Sequence, residues 1–224
     1  MKRIKLQDRQ LPAYSRGEEI FNMVSHIVGG AFAIVATVAC CWKAASHGNT
    51  AGVVTGLVFG LTMLLLYTMS SVYHGLKRLN TGKKVMQVLD HCTIFLLIAG
   101  TYTPITLLGI CPVNPLVGWL IFAVVWISAI VGITLNAVDL HKYRLFSMIC
   151  YLCSGWCVML AARLFLQAVP LPGFLCLLFG GIAYTIGAIL YGLGKKKKWM
   201  HCVFHLFVLA GSILHFFCIY LYLM

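Results

Sequence analysis

Residues 200–224 read MHCVFHLFVLAGSILHFFCIYLYLM. The stretch has no Lys, Arg, Asp or Glu, and its polar nitrogen bases are His201, His205 and His215. A helix that crosses the hydrocarbon core of a bilayer needs about 20 largely apolar residues, and 200–223 supplies them. Working outward, six more segments qualify: 22–42, 52–76, 86–109, 115–136, 144–166 and 171–193. The links between them are short. The pattern predicts an all-α integral membrane protein, a seven-transmembrane helix bundle. Residues 1–20 form a cytoplasmic N-terminal tail in this reading, and 21–224 form the membrane domain. The first twenty residues lack the apolar core of a cleavable signal peptide, so the first span is expected to act as the insertion signal.

Composition agrees. Hydrophobic residues make up 61% of the 224, and charged residues 10%. A soluble domain carries about 25–35% charged residues on its surface. The 17 Lys and Arg against five acidic residues suggest nucleic acid at first sight. They sit instead in short clusters between apolar runs, so no nucleic-acid partner is expected. Ten cysteines lie mostly inside those runs, where thiols pack as small hydrophobes. That reading covers Cys150, Cys153 and Cys157, which share one helix face and include a C-x-x-C pair.

The basic clusters set the topology. Lys2, Arg3, Lys5, Arg9, Arg16, Lys77, Arg78, Lys83, Lys84, Lys142, Arg144 and Lys195 to Lys198 fall on one side; only Lys43 and Arg163 fall on the other. Cytoplasmic loops carry the excess of Lys and Arg. The N-terminus is therefore expected inside and the C-terminus outside. Lys195 to Lys198 read as a topology determinant that also suits anionic lipid headgroups.

This orientation brings the ends of four spans to the cytoplasmic face: Glu18, Asn22, Ser25 and His26 in span 1, His74 in span 2, Asp90 in span 3, and His201 with His205 in span 7. Ionisable residues within membrane spans are costly and mark functional sites. Three imidazoles and a carboxylate at one depth point to a buried metal site. His201 and His205 are four apart and share a helix face. The pair alone is a weak motif, because the glutamate of H-E-x-x-H proteases is missing. His201, His205, Ser212 and His215 form one stripe, with His215 about 15 Å deeper at ~1.5 Å per residue. It is expected to bond across helices.

In span 2, Tyr67, Ser70, Ser71 and His74 make a polar face. Ser70 is placed to orient a ligand or water, or to bond the carbonyl one turn back. In span 3, Asp90, Thr93, Gly100, Thr101 and Pro104 lie on one side, and Pro104 is expected to kink the helix. A salt bridge from Asp90 to Lys83 or Lys84 is the structural alternative to a role at a metal. His26 is expected to bond Ser25 or a neighbouring helix, and is the best rival ligand. His91 is expected to face elsewhere, and His47 and His141 to lie in loops.

Four ordered motifs now carry a resemblance: Asn22 with Ser25-His26 and Gly29; Ser70-Ser71-Val72-Tyr73-His74; Asp90 with Gly100-Thr101-Tyr102-Thr103-Pro104; and His201-Cys202-Val203-Phe204-His205 continuing to Gly211 and His215. The chain resembles the hemolysin III family, the bacterial branch of the progestin-and-adipoQ-receptor superfamily, over almost its whole length. The resemblance implies a multi-pass protein of the bacterial inner membrane. It implies zinc held by His74, His201 and His205, with Asp90 contacting it through a water and Ser70 nearby. Cys202 is an extra soft ligand in this reading. The superfamily is related to membrane ceramidases, and some receptor members resemble lipid amidases.

Three histidines leave one position of tetrahedral zinc open, as in catalytic sites, and zinc activates water near neutral pH. Asp90 would then shuttle a proton. The first functional class is a zinc-dependent hydrolase of lipid amides or esters, with membrane lipids as partners and a fatty-acyl ligand inside the bundle. The second is a sensor or regulator of membrane state, in which zinc only ties spans together. The third, a cytolytic protein, rests on the family name.

Overall fold

The first helix begins where the sequence supplies a cap. The Ser15 backbone N–H donates to Glu18 Oε2 at 2.9 Å, and the Glu18 N–H returns a bond to Ser15 Oγ at 3.3 Å. This reciprocal pair satisfies two donors that a helix start leaves open. The computed structural model describes residues 8, 10–78, 81–194 and 197–224. Residues 1–7 and 9 of the expected tail, and Lys195 with Lys196 of the basic loop, lie outside the described residues.

Among the described residues, seven helices are long and apolar enough to cross a membrane: α1 (Arg16–Ser46), α2 (Thr50–Gly75), α3 (Thr81–Ile110), α4 (Pro115–Asp139), α5 (Arg144–Ala168), α6 (Leu171–Leu193) and α7 (Met200–Tyr222). All seven expected spans are present. The largest differences are at the starts of α1 and α3. Helix α1 starts six residues before 22 because the capping box lies in the polar segment that hydropathy discards. The boundary expected at residue 20 therefore falls inside α1. Elsewhere side chains again set the ends: Asn49 Oδ1 accepts from Gly52 N at 2.8 Å and Asn114 Oδ1 from Val117 N at 3.2 Å. Helix α7 follows Trp199, which sits in the left-handed region at φ 66°. That conformation is rare for a bulky side chain. Its N–H donates to Glu18 Oε1 at 2.7 Å. Glu18 thus starts α1 with one oxygen and holds the entry to α7 with the other.

Helix α3 is the central strut and the most buried of the seven, whereas α4 and α5 are among the most exposed. It packs against α2, α4 and α5, while α1 lies along α2 and touches α7, and α6 lies along α7. Outward faces carry exposed apolar side chains such as Val35, Trp42, Leu116, Leu145 and Leu160. Lipid tails are as apolar as leucine, so close packing and interhelical hydrogen bonds must hold such a bundle together. Gly29 shows how close the packing is: a Cβ there would come 2.6 Å from the Tyr67 ring.

Two helices break their regular pattern, and both breaks are satisfied inside the protein. Past Pro104, α3 widens into a π-helical turn over Ile105–Ile110, and Cys111 N reaches back to Thr106 O at 2.8 Å. The disturbance expected from Pro104 takes this form. Helix α5 tightens to a 3₁₀ turn over Cys157–Ala161. There the Tyr102 hydroxyl donates to Gly155 O at 2.8 Å and accepts from Val158 N at 3.1 Å. Backbone groups at membrane depth need such partners, since lipid offers none. At the opposite end from the histidines, Lys43 Nζ donates to Tyr220 O at 2.7 Å and Leu221 O at 3.2 Å, covering the last carbonyls of α7.

Candidate metal centre

His74 ends α2, and His201 and His205 begin α7. All three are buried, and one potential ligand atom from each lies within 4.8 Å of the others. Their orientation follows from bonds outside the cluster. Glu19 Oε2 lies 2.7 Å from His74 Nδ1. An ionised carboxylate only accepts, so Nδ1 carries the proton and Nε2 presents a lone pair. His74 Nε2 is buried and has no hydrogen-bond partner. Glu19 is held in turn by Lys83, whose Nζ donates to Glu19 Oε1 at 2.7 Å and to Leu76 O at 2.9 Å.

On α7, His201 Nε2 and His205 Nε2 are 3.1 Å apart. Two imidazoles on a tetrahedral ion at ~2.0–2.1 Å would have nitrogens about 3.4 Å apart. The pair is thus near ligating separation, with the unpartnered His74 Nε2 beside it. A buried nitrogen without a partner is costly, and a metal ion removes that cost. A carboxylate that fixes the far nitrogen of a histidine ligand is the usual support of such sites. The residues present fit a metal ion bound by imidazole.

Aromatic rings wall the cluster. Tyr14 stacks on His201 with centroids 4.8 Å apart and planes 19° apart. Burial first, then the neighbouring Tyr73, pushes the Tyr14 phenol above its ordinary pKa, so it stays protonated. His26 stacks on His205 at 3.8 Å and meets Tyr67 edge-on at 5.0 Å. Deeper, the Tyr67 hydroxyl donates to Ser212 Oγ at 2.8 Å, and Tyr184 shares that oxygen.

Asp90 and Ser70 are not members of the three-histidine cluster. They do line the same cavity as His201 and His205, a space of about 150 Å³ whose other walls include Leu66, Ile98 and Val208. The salt bridge considered between Asp90 and Lys83 does not form, because Lys83 is engaged by Glu19 and Leu76. Asp90 Oδ2 lies 3.7 Å from His91 Nδ1.

Three further expectations are corrected. His26 makes no bond to Ser25, whose hydroxyl donates to Asn22 O at 3.0 Å; both His26 nitrogens are buried without partners. Cys202 is outside the cluster, with Sγ directed at Glu18 O at 3.8 Å. His91 does reach the cavity wall, because the cavity is wide enough to span the 100° between it and Asp90. Its nitrogens lie 2.8 Å from Gln87 O and 3.1 Å from the Tyr191 hydroxyl. His215 bonds across helices as expected, Nε2 to Leu177 O at 3.1 Å.

Glu19 is the site residue that sequence reading missed. It resembles one more charge in a polar tail. The available signal was its spacing: Glu19, Asn22 and His26 recur at helical intervals on the face that meets α2 and α7.

Fold and site together define a multi-pass, seven-helix membrane protein with a buried three-histidine candidate metal centre. The chain belongs to the haemolysin-III related family, whose model matches residues 14–216. It is similar to Hemolysin-3 of Bacillus cereus, 37% identical over 207 residues and covering 92% of each chain. Hemolysin-3 homolog of Bacillus subtilis (strain 168) is 37% identical over 205 residues, 92% of this chain and 94% of that one. Monocyte to macrophage differentiation factor of Homo sapiens is 24% identical over 175 residues, 76% and 71% of the two chains.

Proposed function

We propose that this protein is a zinc-dependent hydrolase of membrane lipid amides or esters, with its site at the cytoplasmic face. The observation that carries the reading is the position of the histidine cluster. His201 and His205 stand in the wall of a largely apolar cavity that also exposes a carboxylate, Asp90, and a hydroxyl, Ser70. The distribution of Lys and Arg supports a cytoplasmic N-terminus and an outer C-terminus.

His74, His201 and His205 would hold the ion. When bound, zinc supplies Lewis-acid polarisation of a carbonyl and an acidified water. The protein supplies the rest. Glu19 keeps His74 in the tautomer that offers Nε2, and Lys83 pairs with Glu19 and keeps it aimed. Asp90 accepts the proton of the attacking water and returns it to the leaving amine or alcohol. Ser70, one turn before His74 and buried, orients the substrate carbonyl. The apolar wall takes the acyl chain and excludes bulk water.

A second reading, metal as a structural tie in a membrane sensor, draws support from the rings of Tyr14 and His26 packed over His201 and His205. Metal removal separates the two. Protein treated with a chelator in detergent should lose release of fatty acid from a long-chain N-acyl amine and regain it when zinc is restored. Metal-dependent stability without any fatty-acid release would favour the structural tie.

A further inference from the structure

A second cavity opens at the same end of the bundle. It is about 700 Å³ in volume, has a mixed polar and apolar surface, and includes Tyr14, Arg144, Lys197 and Lys198 in its lining. It meets the apolar cavity at His91 and Tyr191, which line both. Arg144 stands at the start of α5 with its guanidinium carbon 5.9 Å from the Tyr191 ring centroid. Its Nη2 atom is buried and has no hydrogen-bond partner.

A guanidinium keeps its charge at any physiological pH and offers donors in a fixed fork. Leaving one of those donors buried and unmet is costly. The positive-inside rule explains why Arg144 is on this face, but it leaves the buried Nη2 atom without an acceptor. Lys197, Lys198 and His141 add basic groups around the same space. Two acidic residues line it as well, Asp8 and Glu18. Both Glu18 oxygens are already engaged, by Ser15 and by Trp199 N. The space therefore has a basic excess, an arginine donor without an acceptor beside it, and a largely apolar cavity next door.

We propose that Arg144, with Lys197 and Lys198, binds an anionic group of phosphate type, carried as the head of a lipid whose acyl chain lies in the apolar cavity beside the histidines. Planar guanidinium donors match phosphate oxygens in pairs. This extends the lipid reading above by giving the substrate a charged head.

The test compares binding of phosphatidic acid and of diacylglycerol with the same acyl chains, using purified full-length protein in neutral detergent micelles. Wild type should prefer phosphatidic acid by about tenfold or more, in line with a charge-assisted hydrogen bond. Arg144→Gln and the double variant Lys197→Gln, Lys198→Gln should each lose most of that preference. Lys142→Gln, which removes one exposed charge on the same face, should keep it. Equal binding of the two lipids by wild type, or equal loss in Lys142→Gln, would overturn the proposal. Inorganic phosphate binding as tightly as phosphatidic acid would assign the site to free phosphate and overturn its lipid part. His205→Ala should keep the head-group preference, so failure of the metal reading and failure of this one are distinguishable.

Discussion

Asp90→Asn should purify with its metal content intact and lose about 10²–10⁴-fold in lipid amide hydrolysis, the range a positioned general acid or base contributes. The expectation rests on two observations. Asp90 is outside the cluster of converging nitrogens, so its loss removes none of the three imidazoles. It nevertheless faces the cavity that His201 and His205 line. The isosteric amide keeps shape and hydrogen bonding but cannot take up a proton. Metal content by elemental analysis and fatty-acid release, measured on the same preparation, check the prediction. Full turnover in Asp90→Asn would remove Asp90 from the chemistry. Loss of metal together with turnover would make it part of the binding set.

Glu19→Ala should lower metal affinity by about 10–100-fold, the usual cost of losing the partner that orients a histidine ligand. Without Glu19, nothing fixes the proton on His74 Nδ1, and Lys83 is left as a buried ammonium with only Leu76 O and the face of the Tyr73 ring beside it. Glu19→Gln should fall between the alanine variant and wild type, because its amide oxygen still accepts from Nδ1 while the charge pairing with Lys83 is lost. Competition with a chelator of known affinity reads the effect directly. Equal affinity in wild type and Glu19→Ala would show that His74 is oriented by its packing alone.

The frame of the molecule was legible because the bilayer imposes it. Seven apolar runs of sufficient length can hardly be anything else, and polar residues at their ends had to gather at one face once the chain alternated. His74, His201 and His205 were found in this way, since three imidazoles in apolar helices have few other reasons to share a depth. What escaped depends on tertiary detail. Glu19 was hidden because charges near a membrane edge are ordinary there, and only the Ser15–Glu18 capping box marks α1 as already begun. The fate of Lys83 could not be read, since both Asp90 and Glu19 lie within reach of its flexible side chain. The π turn after Pro104 and the Tyr102 hydroxyl inserted at the break in α5 are answers to local backbone needs that several sequences would meet differently. His26 was expected to bond Ser25 or a neighbouring helix, yet it stacks on His205. The cavity itself is lined by side chains from α1, α2, α3, α5, α6 and α7 together, which no single helix encodes.

The measurement that bears most directly on the metal centre is elemental analysis of wild type and His205→Ala, both purified without chelators. About one zinc ion per chain is predicted for wild type, as for a single site with three histidine ligands, with little or none in His205→Ala at unchanged helical content. Wild-type protein free of any transition metal, or a His205→Ala protein that keeps its zinc, would contradict the three-histidine site.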